Sequence, residues 1–193
     1  MTAQSGPPIH EDHLRQGGPT LGAFAETCSR LLAGGDLAIA ATGVVLSVAV
    51  PLQVGDLISN ITFVTGGTAA GTPTAGFAAL YSNAATPALL AQTADFAATA
   101  RAANTAYTVA LATPQRITTA GIYYVAISFT ATTVPTLRGV SLGNAAVAGA
   151  LGLSSPSAPK VLAQTHGSAV GGTAPATIAT PTTAAVVPYL VLT

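Results

Sequence analysis

The sequence predicts an all-β protein: an antiparallel β-sandwich, jelly-roll-like, with an extended N-terminal arm that holds at most one short helix. Three observations lead there. From Asp36 onward, short runs rich in Val, Ile, Thr, Tyr and Phe recur, several alternating with the period of two that a half-buried strand requires. Clusters of Gly, Pro, Asn and Thr separate the runs and favour tight turns. No helical pattern of useful length lies between successive runs, which argues against the crossover helices of a parallel sheet.

Taken in order, residues 1–36 form the arm. Gly6, Pro7, Pro8, Gly17, Gly18 and Pro19 leave its first part extended and unable to pack on its own. Thr20 is placed to cap a short helix running to about Ala33. In it Phe24, Cys28, Leu31 and Leu32 would share one face, Glu26 and Arg30 would pair at i,i+4, and Gly34-Gly35 would end it. The sandwich takes residues 37–193. Strands are expected at Leu37–Val50, Asp56–Thr65, Phe77–Ser82, Leu89–Ala94, Tyr107–Ala112, Ile122–Thr130, Thr136–Leu142, Val161–Thr165 and Val186–Leu192. In the second of these, Ile58, Asn60, Thr62 and Val64 would face one way and Leu57, Ser59, Ile61 and Phe63 the other. Gly143–Leu153 admits a loop, an irregular strand or a short helix. Residues Gly167–Thr183 read as a linker-like segment, exposed or clamped by a neighbour. Leu90-Ala91-Gln92-Thr93 and Leu162-Ala163-Gln164-Thr165 are the same four residues, a match that chance explains in so Ala- and Thr-rich a chain.

The chain has 193 residues, and charged side chains make up 6% of them, with six bases balancing six acids. Soluble domains carry about 25%. Zero net charge leaves no footprint for nucleic acid, whose binding rests on neutralising phosphates. The longest apolar run, Leu37–Leu52, is interrupted by Thr42, Gly43, Ser47 and Pro51 and falls short of a spanning helix. The N-terminus has no basic region leading into an apolar stretch, so neither membrane nor signal peptide is expected. The missing charge instead suits contact with like subunits, where each buried ion would carry a desolvation cost.

Chemistry is sparse. Asp56, Asp95 and His166 each sit at an expected turn, and a hydrolase would need all three to converge. His10-Glu11-Asp12-His13 has the donors of a metal site but lies in a Pro/Gly-flanked tail without a scaffold, so neither metal nor cofactor is expected. Cys28 reads as a small buried apolar residue. Tyr123 and Tyr124 point to opposite faces of one strand, which puts one ring in the core and the other at a surface or interface. Tyr81, Tyr107, Tyr123 and Tyr124 are the candidate surface or interface aromatics. In the arm, His10, His13, Leu14, Phe24 and Leu31 are the candidate contacts.

The phrases Ile58-Ser-Asn-Ile-Thr-Phe-Val-Thr-Gly66, Ala79-Leu-Tyr-Ser82, Leu89-Leu-Ala-Gln-Thr-Ala-Asp95, Ala103-Asn-Thr-Ala106, Gly121-Ile-Tyr-Tyr-Val-Ala-Ile127 and Ala131-Thr-Thr-Val-Pro-Thr-Leu137 cover most of the sandwich. In strand order and phrasing, residues 37–193 resemble β-sandwich domains in virion proteins of tailed bacteriophages, among them minor tail and small capsid-associated proteins. The resemblance carries no functional motif. It implies a non-enzymatic structural module, oligomeric and often trimeric, whose partners are copies of itself and other virion proteins, the major capsid protein foremost. A capsid decoration or accessory protein on the capsid exterior, docked through its arm, is the first expectation. A tail-tip or fibre module binding a host-surface receptor or glycan is the alternative, and would present the four tyrosines on a concave patch.

Overall fold

Side-chain alternation and turn chemistry produce a sandwich of antiparallel sheets. The computed structural model describes residues 25–96, 101–149 and 161–193. The strands are β1 (Ala25–Glu26), β2 (Gly35–Leu37), β3 (Val45–Leu52), β4 (Leu57–Val64), β5 (Gly71–Tyr81), β6 (Leu89–Gln92), β7 (Ala106–Arg116), β8 (Gly121–Thr133) and β9 (Leu137–Ser141). After a single helical turn, α1 (Ala145–Ala148), come β10 (Ala163–His166), β11 (Thr182–Thr183), β12 (Val186–Pro188) and β13 (Leu190–Leu192). Each of the nine expected strand regions carries a strand. A six-stranded sheet has the order β11-β10-β3-β8-β5-β6, a four-stranded sheet β1-β13-β4-β7, and a small third sheet β12-β9-β2. Every pairing among them is antiparallel.

The main core lies between the two larger sheets. Val48, Val50, Leu80, Val125, Ile127 and Phe129 come from the six-stranded side and meet Ile58, Ile61, Phe63, Leu111, Leu190 and Leu192 from the other. Phe63 is its centre, with ring centroids 5.8 Å from Phe96, 5.6 Å from Tyr107 and 5.7 Å from Phe129. Arg101 closes one end of this cluster. Its guanidinium lies 4.7 Å from the Phe96 ring and 4.6 Å from the Tyr107 ring, and it donates to the Phe96 carbonyl at 3.2 Å. Ring faces favour a cation in this position.

Where the strands depart from expectation, the cause is local. The expected run Leu37–Val50 breaks at Gly43, whose φ of +66° turns the chain between β2 and β3. Alternation in β4 slips because a bulge falls between Ile58 and Asn60, so Ile58 and Ile61, expected on opposite faces, are both buried. At this bulge the N–H groups of Ser59 and Asn60 both donate to the Thr193 carbonyl at 2.7 Å. β7 runs through Pro114, and β5 through Pro73 at an end where only β8 pairs with it. Proline survives at both places because the side lacking its N–H has no ladder to serve.

The arm departs most. Of the helix expected to end near Ala33, the described residues form β1 followed by a 3-10 turn at Arg30–Leu32. Ala25 and Glu26 pair with Leu192 and Val191, and Gly35–Leu37 pairs with Leu137–Gly139. The last third of the arm is thereby woven into the sheets. The Gly143–Leu153 stretch contains the single turn α1, capped by the Asn144 side chain on the Ala146 N–H at 2.8 Å.

Candidate functional site

Two places gather the polar side chains: the root of the arm and the outer face of the six-stranded sheet. At the root, Glu26 and Arg30 pair at 3.0 Å as their spacing suggested, though Glu26 lies in β1 and Arg30 opens the 3-10 turn instead of both lying on one helix. The partner that sets their geometry is Tyr189, which follows β12. Its hydroxyl donates to Glu26 Oε1 at 2.5 Å and accepts from Arg30 Nε at 2.9 Å. Burial, then the bond to Glu26, raise the Tyr189 pKa. Thr27 adds a second tie, its Oγ1 donating to the Pro188 carbonyl and accepting from the Leu190 N–H. Just beyond this clasp Leu31 is 95% exposed and Leu32 67%. Leu31 is thus available as a contact, while His10, His13, Leu14 and Phe24 lie outside the described residues.

The outer face of the six-stranded sheet is covered by the chain itself. Residues 167–181, expected to be linker-like, form a strap over it and bury Ala174 and Ile178 against Val45, Phe77, Ala79, Tyr81, Tyr124 and Ala126. Side chains of the sheet hold the strap by its backbone. The Tyr81 hydroxyl donates to the Pro175 carbonyl at 2.8 Å and Thr130 to that of Val170 at 2.8 Å. Gln92 binds both the Gly172 carbonyl and the Ala174 N–H. Under the strap, His166 is 4% exposed, with Nε2 2.7 Å from Ser47 Oγ, its ring edge-on to Tyr81, and Nδ1 without a partner. Burial lowers the His166 pKa to about 4, so the ring is neutral and Ser47 shares one proton with it.

Beside the strap opens a groove of about 640 Å³, lined by Pro87, Tyr124, Val161, Gln164, Ile178 and Pro181 among others. Its walls are mostly apolar and carry no ionisable group except the Tyr124 phenol, whose hydroxyl is already donated to the Val161 carbonyl at 2.9 Å.

The aromatic expectation needs correction. Tyr81, Tyr123 and Tyr124 are buried, and only Tyr107 is half-exposed. Tyr123 and Tyr124 do face opposite ways, but Tyr123 enters the main core and Tyr124 the core beneath the strap. The reason is that each phenol ties down a backbone segment: Tyr123 donates to Thr119, Tyr124 to Val161 and Tyr81 to Pro175, while Tyr107 accepts from the Ala102 N–H. Desolvation raises the phenol pKa of Tyr81 and Tyr123, and that of Tyr124 to about 12.

The three turn residues have separate employment. Asp56 accepts from the Gln53 N–H at 2.8 Å, Asp95 from the Gly76 N–H at 3.0 Å, and His166 faces Ser47. Asp36 bridges the arm to the β4–β5 turn by accepting from the Gly67 N–H at 2.9 Å, and hydrogen bonds from Thr136 and Gly67 lower its pKa. A side chain on Gly66 would collide with that carboxylate, which is why the turn needs glycine there. Cys28 is half-buried, and burial raises its thiol to about 11. Among the described residues no group of three His, Cys, Asp or Glu could hold a metal ion, and no helix is long and apolar enough to cross a membrane. Sequence reasoning missed the clasp through Tyr189, the Ser47–His166 pair and the Gln92 clamp. Their sequence separations of 163, 119 and 82 residues left no local signal. No protein-family model matches the chain, and no curated protein matches it either.

Proposed function

We propose that the protein is a non-enzymatic structural component of a bacteriophage virion: a capsid decoration or accessory protein on the capsid exterior. In this reading the sandwich packs against copies of itself, as a trimer, and the N-terminal arm docks on a partner, the major capsid protein foremost. The observation that carries the reading is the arm's root. Glu26, Arg30 and Tyr189 fix the point from which the arm departs, and Leu31 and Leu32 stand uncovered beside it. A rigid exit point lowers the entropy lost when an arm docks. The low charge of the chain points the same way, since uncharged faces can be buried between subunits without stranding ions. The tail-tip alternative loses its main support, because three of the four rings it needs on a surface patch lie inside.

The test is removal of residues 1–19. Circular dichroism and the melting temperature should remain those of the intact protein, while binding to particles of the encoding phage that lack this protein should be lost. Binding of the truncated protein at full occupancy would overturn the anchoring role.

A further inference from the structure

The two Leu-Ala-Gln-Thr stretches lie in register across one sheet. Ala163 stands opposite Val48, Val48 opposite Val125, Val125 opposite Leu80, and Leu80 opposite Ala91. One residue along, the row reads Gln164, Ser47, Ala126, Ala79, Gln92. The two glutamines therefore occupy matching places on either flank of β8, both on the strap face of the sheet. Gln92 demonstrates what an amide does there. Its Nε2 donates to the Gly172 carbonyl at 3.2 Å and its Oε1 accepts from the Ala174 N–H at 2.7 Å, so one side chain grips the backbone of a passing segment at two points.

Gln164 has the same side chain, and among the described residues no such segment crosses it. It is 3% exposed, it lines the 640 Å³ groove, and among the described residues its amide has no hydrogen-bond partner. The donor and acceptor of this amide thus face the groove unused by the described residues, and a peptide group bound there would engage both. The rest of the groove, with Pro87, Tyr124, Ile178 and Pro181, suits a small, uncharged, extended segment.

We propose that this groove receives the N-terminal arm of a second copy of the chain, with the Gln164 amide gripping its backbone as Gln92 grips the strap. The inference rests on the assembly reading above and names the surface through which copies would join. Twenty-four residues precede Ala25, and from Thr2 to Ile9 they carry no ionisable side chain, which matches the uncharged groove. Fully extended, such a length reaches about 80 Å, whereas a chain of this size folds to a radius of gyration of about 16 Å. The arm's root lies on β1 in the four-stranded sheet, and the groove lies on the far face of the six-stranded sheet. A chain's own arm would have to pass round the sandwich to enter it, so we assign the groove to the arm of another copy.

The experiment places a photo-reactive benzophenone side chain at Ala179, an exposed residue of the groove wall, in the full-length protein. Equal amounts of ¹⁴N and ¹⁵N protein are mixed, irradiated and digested, and the adducts are read by mass spectrometry. The expected products join residue 179 to the peptide Met1–Arg15, with about half pairing light and heavy chains. Gln164→Ala should lower their yield about fivefold to tenfold, the loss of one or two peptide hydrogen bonds. Adducts to the arm that pair only light with light and heavy with heavy, adducts only to other parts of the chain, or a yield indifferent to Gln164→Ala would each overturn the proposal. The virion reading is tested apart, by particle binding. Attachment that needs residues 1–19 but leaves no arm adduct at 179 sinks the groove alone, and adducts without attachment sink the virion role alone.

Discussion

The two faces of the six-stranded sheet are buried by different means. The inner face meets the four-stranded sheet through branched and aromatic side chains, with Phe63 among three other rings, so its cohesion is apolar contact spread over two sheets. The outer face meets a strap of fifteen residues, 167–181, that contributes few large side chains and is held by hydrogen bonds from Tyr81, Gln92 and Thr130 to its backbone. A layer held mainly by a few side-chain to backbone bonds opens at lower free energy than one buried between sheets. The inner face thus sets the stability of the domain, and the outer face is where this protein has freedom to respond or to bind.

The largest effect should come from the inner face. Phe63→Ala removes a fully buried ring and should cost about 3–5 kcal/mol, read as a lower urea midpoint for the whole domain. A change confined to the strap would mean the faces do not differ as described.

Acid should act from the outer face. The His166 pKa is 6.5 when exposed and about 4 when buried, so the unfolded chain takes up this proton first. The site's contribution is complete above pH 6.5 and is lost as pH falls towards 4, by at most about 3 kcal/mol. Replacing both partners, Ser47→Ala with His166→Leu, should flatten that part of the melting profile. An unchanged slope would assign the acid sensitivity to the carboxylates instead.

Smaller and more local is Tyr81→Phe, which deletes the bond to Pro175 for about 1 kcal/mol. Hydrogen exchange should quicken at strap amides such as Val170, Ala174 and Ile178 and stay unchanged at Val125 and Ile127. Uniform quickening would join strap and core into one unit. Gln92→Ala should have a similar or slightly smaller effect, since its two bonds lie at a half-exposed edge.

The same contrast explains what the sequence disclosed. Strands β3 to β10 were legible because their signals are local: alternation at Ile61 to Val64, and at Gly121 to Ile127 a short apolar run behind the turn residues Thr119-Ala120-Gly121. The arm's helical pattern was also local, yet Ala25 and Glu26 go to β13 because Tyr189, 163 residues away, completes the clasp. Tertiary pairing overrode a weak propensity. The strap was unreadable for the reverse reason: its residues carry almost no pattern, and its position depends on Gln92, Thr130 and Tyr81. The tyrosines were misplaced because sequence shows an amphipathic ring without showing which carbonyl its hydroxyl will reach. Of the site, the Glu26–Arg30 spacing and the repeated Leu-Ala-Gln-Thr were visible, and their meaning lay in what the fold brought beside them.

The virion role proposed for this sandwich and its arm is tested most directly by the copy number of the chain per purified phage particle, by quantitative mass spectrometry. Hundreds of copies are expected, as a capsid lattice would require. A handful would move the protein to the tail or portal axis, and complete absence from particles would contradict the virion role.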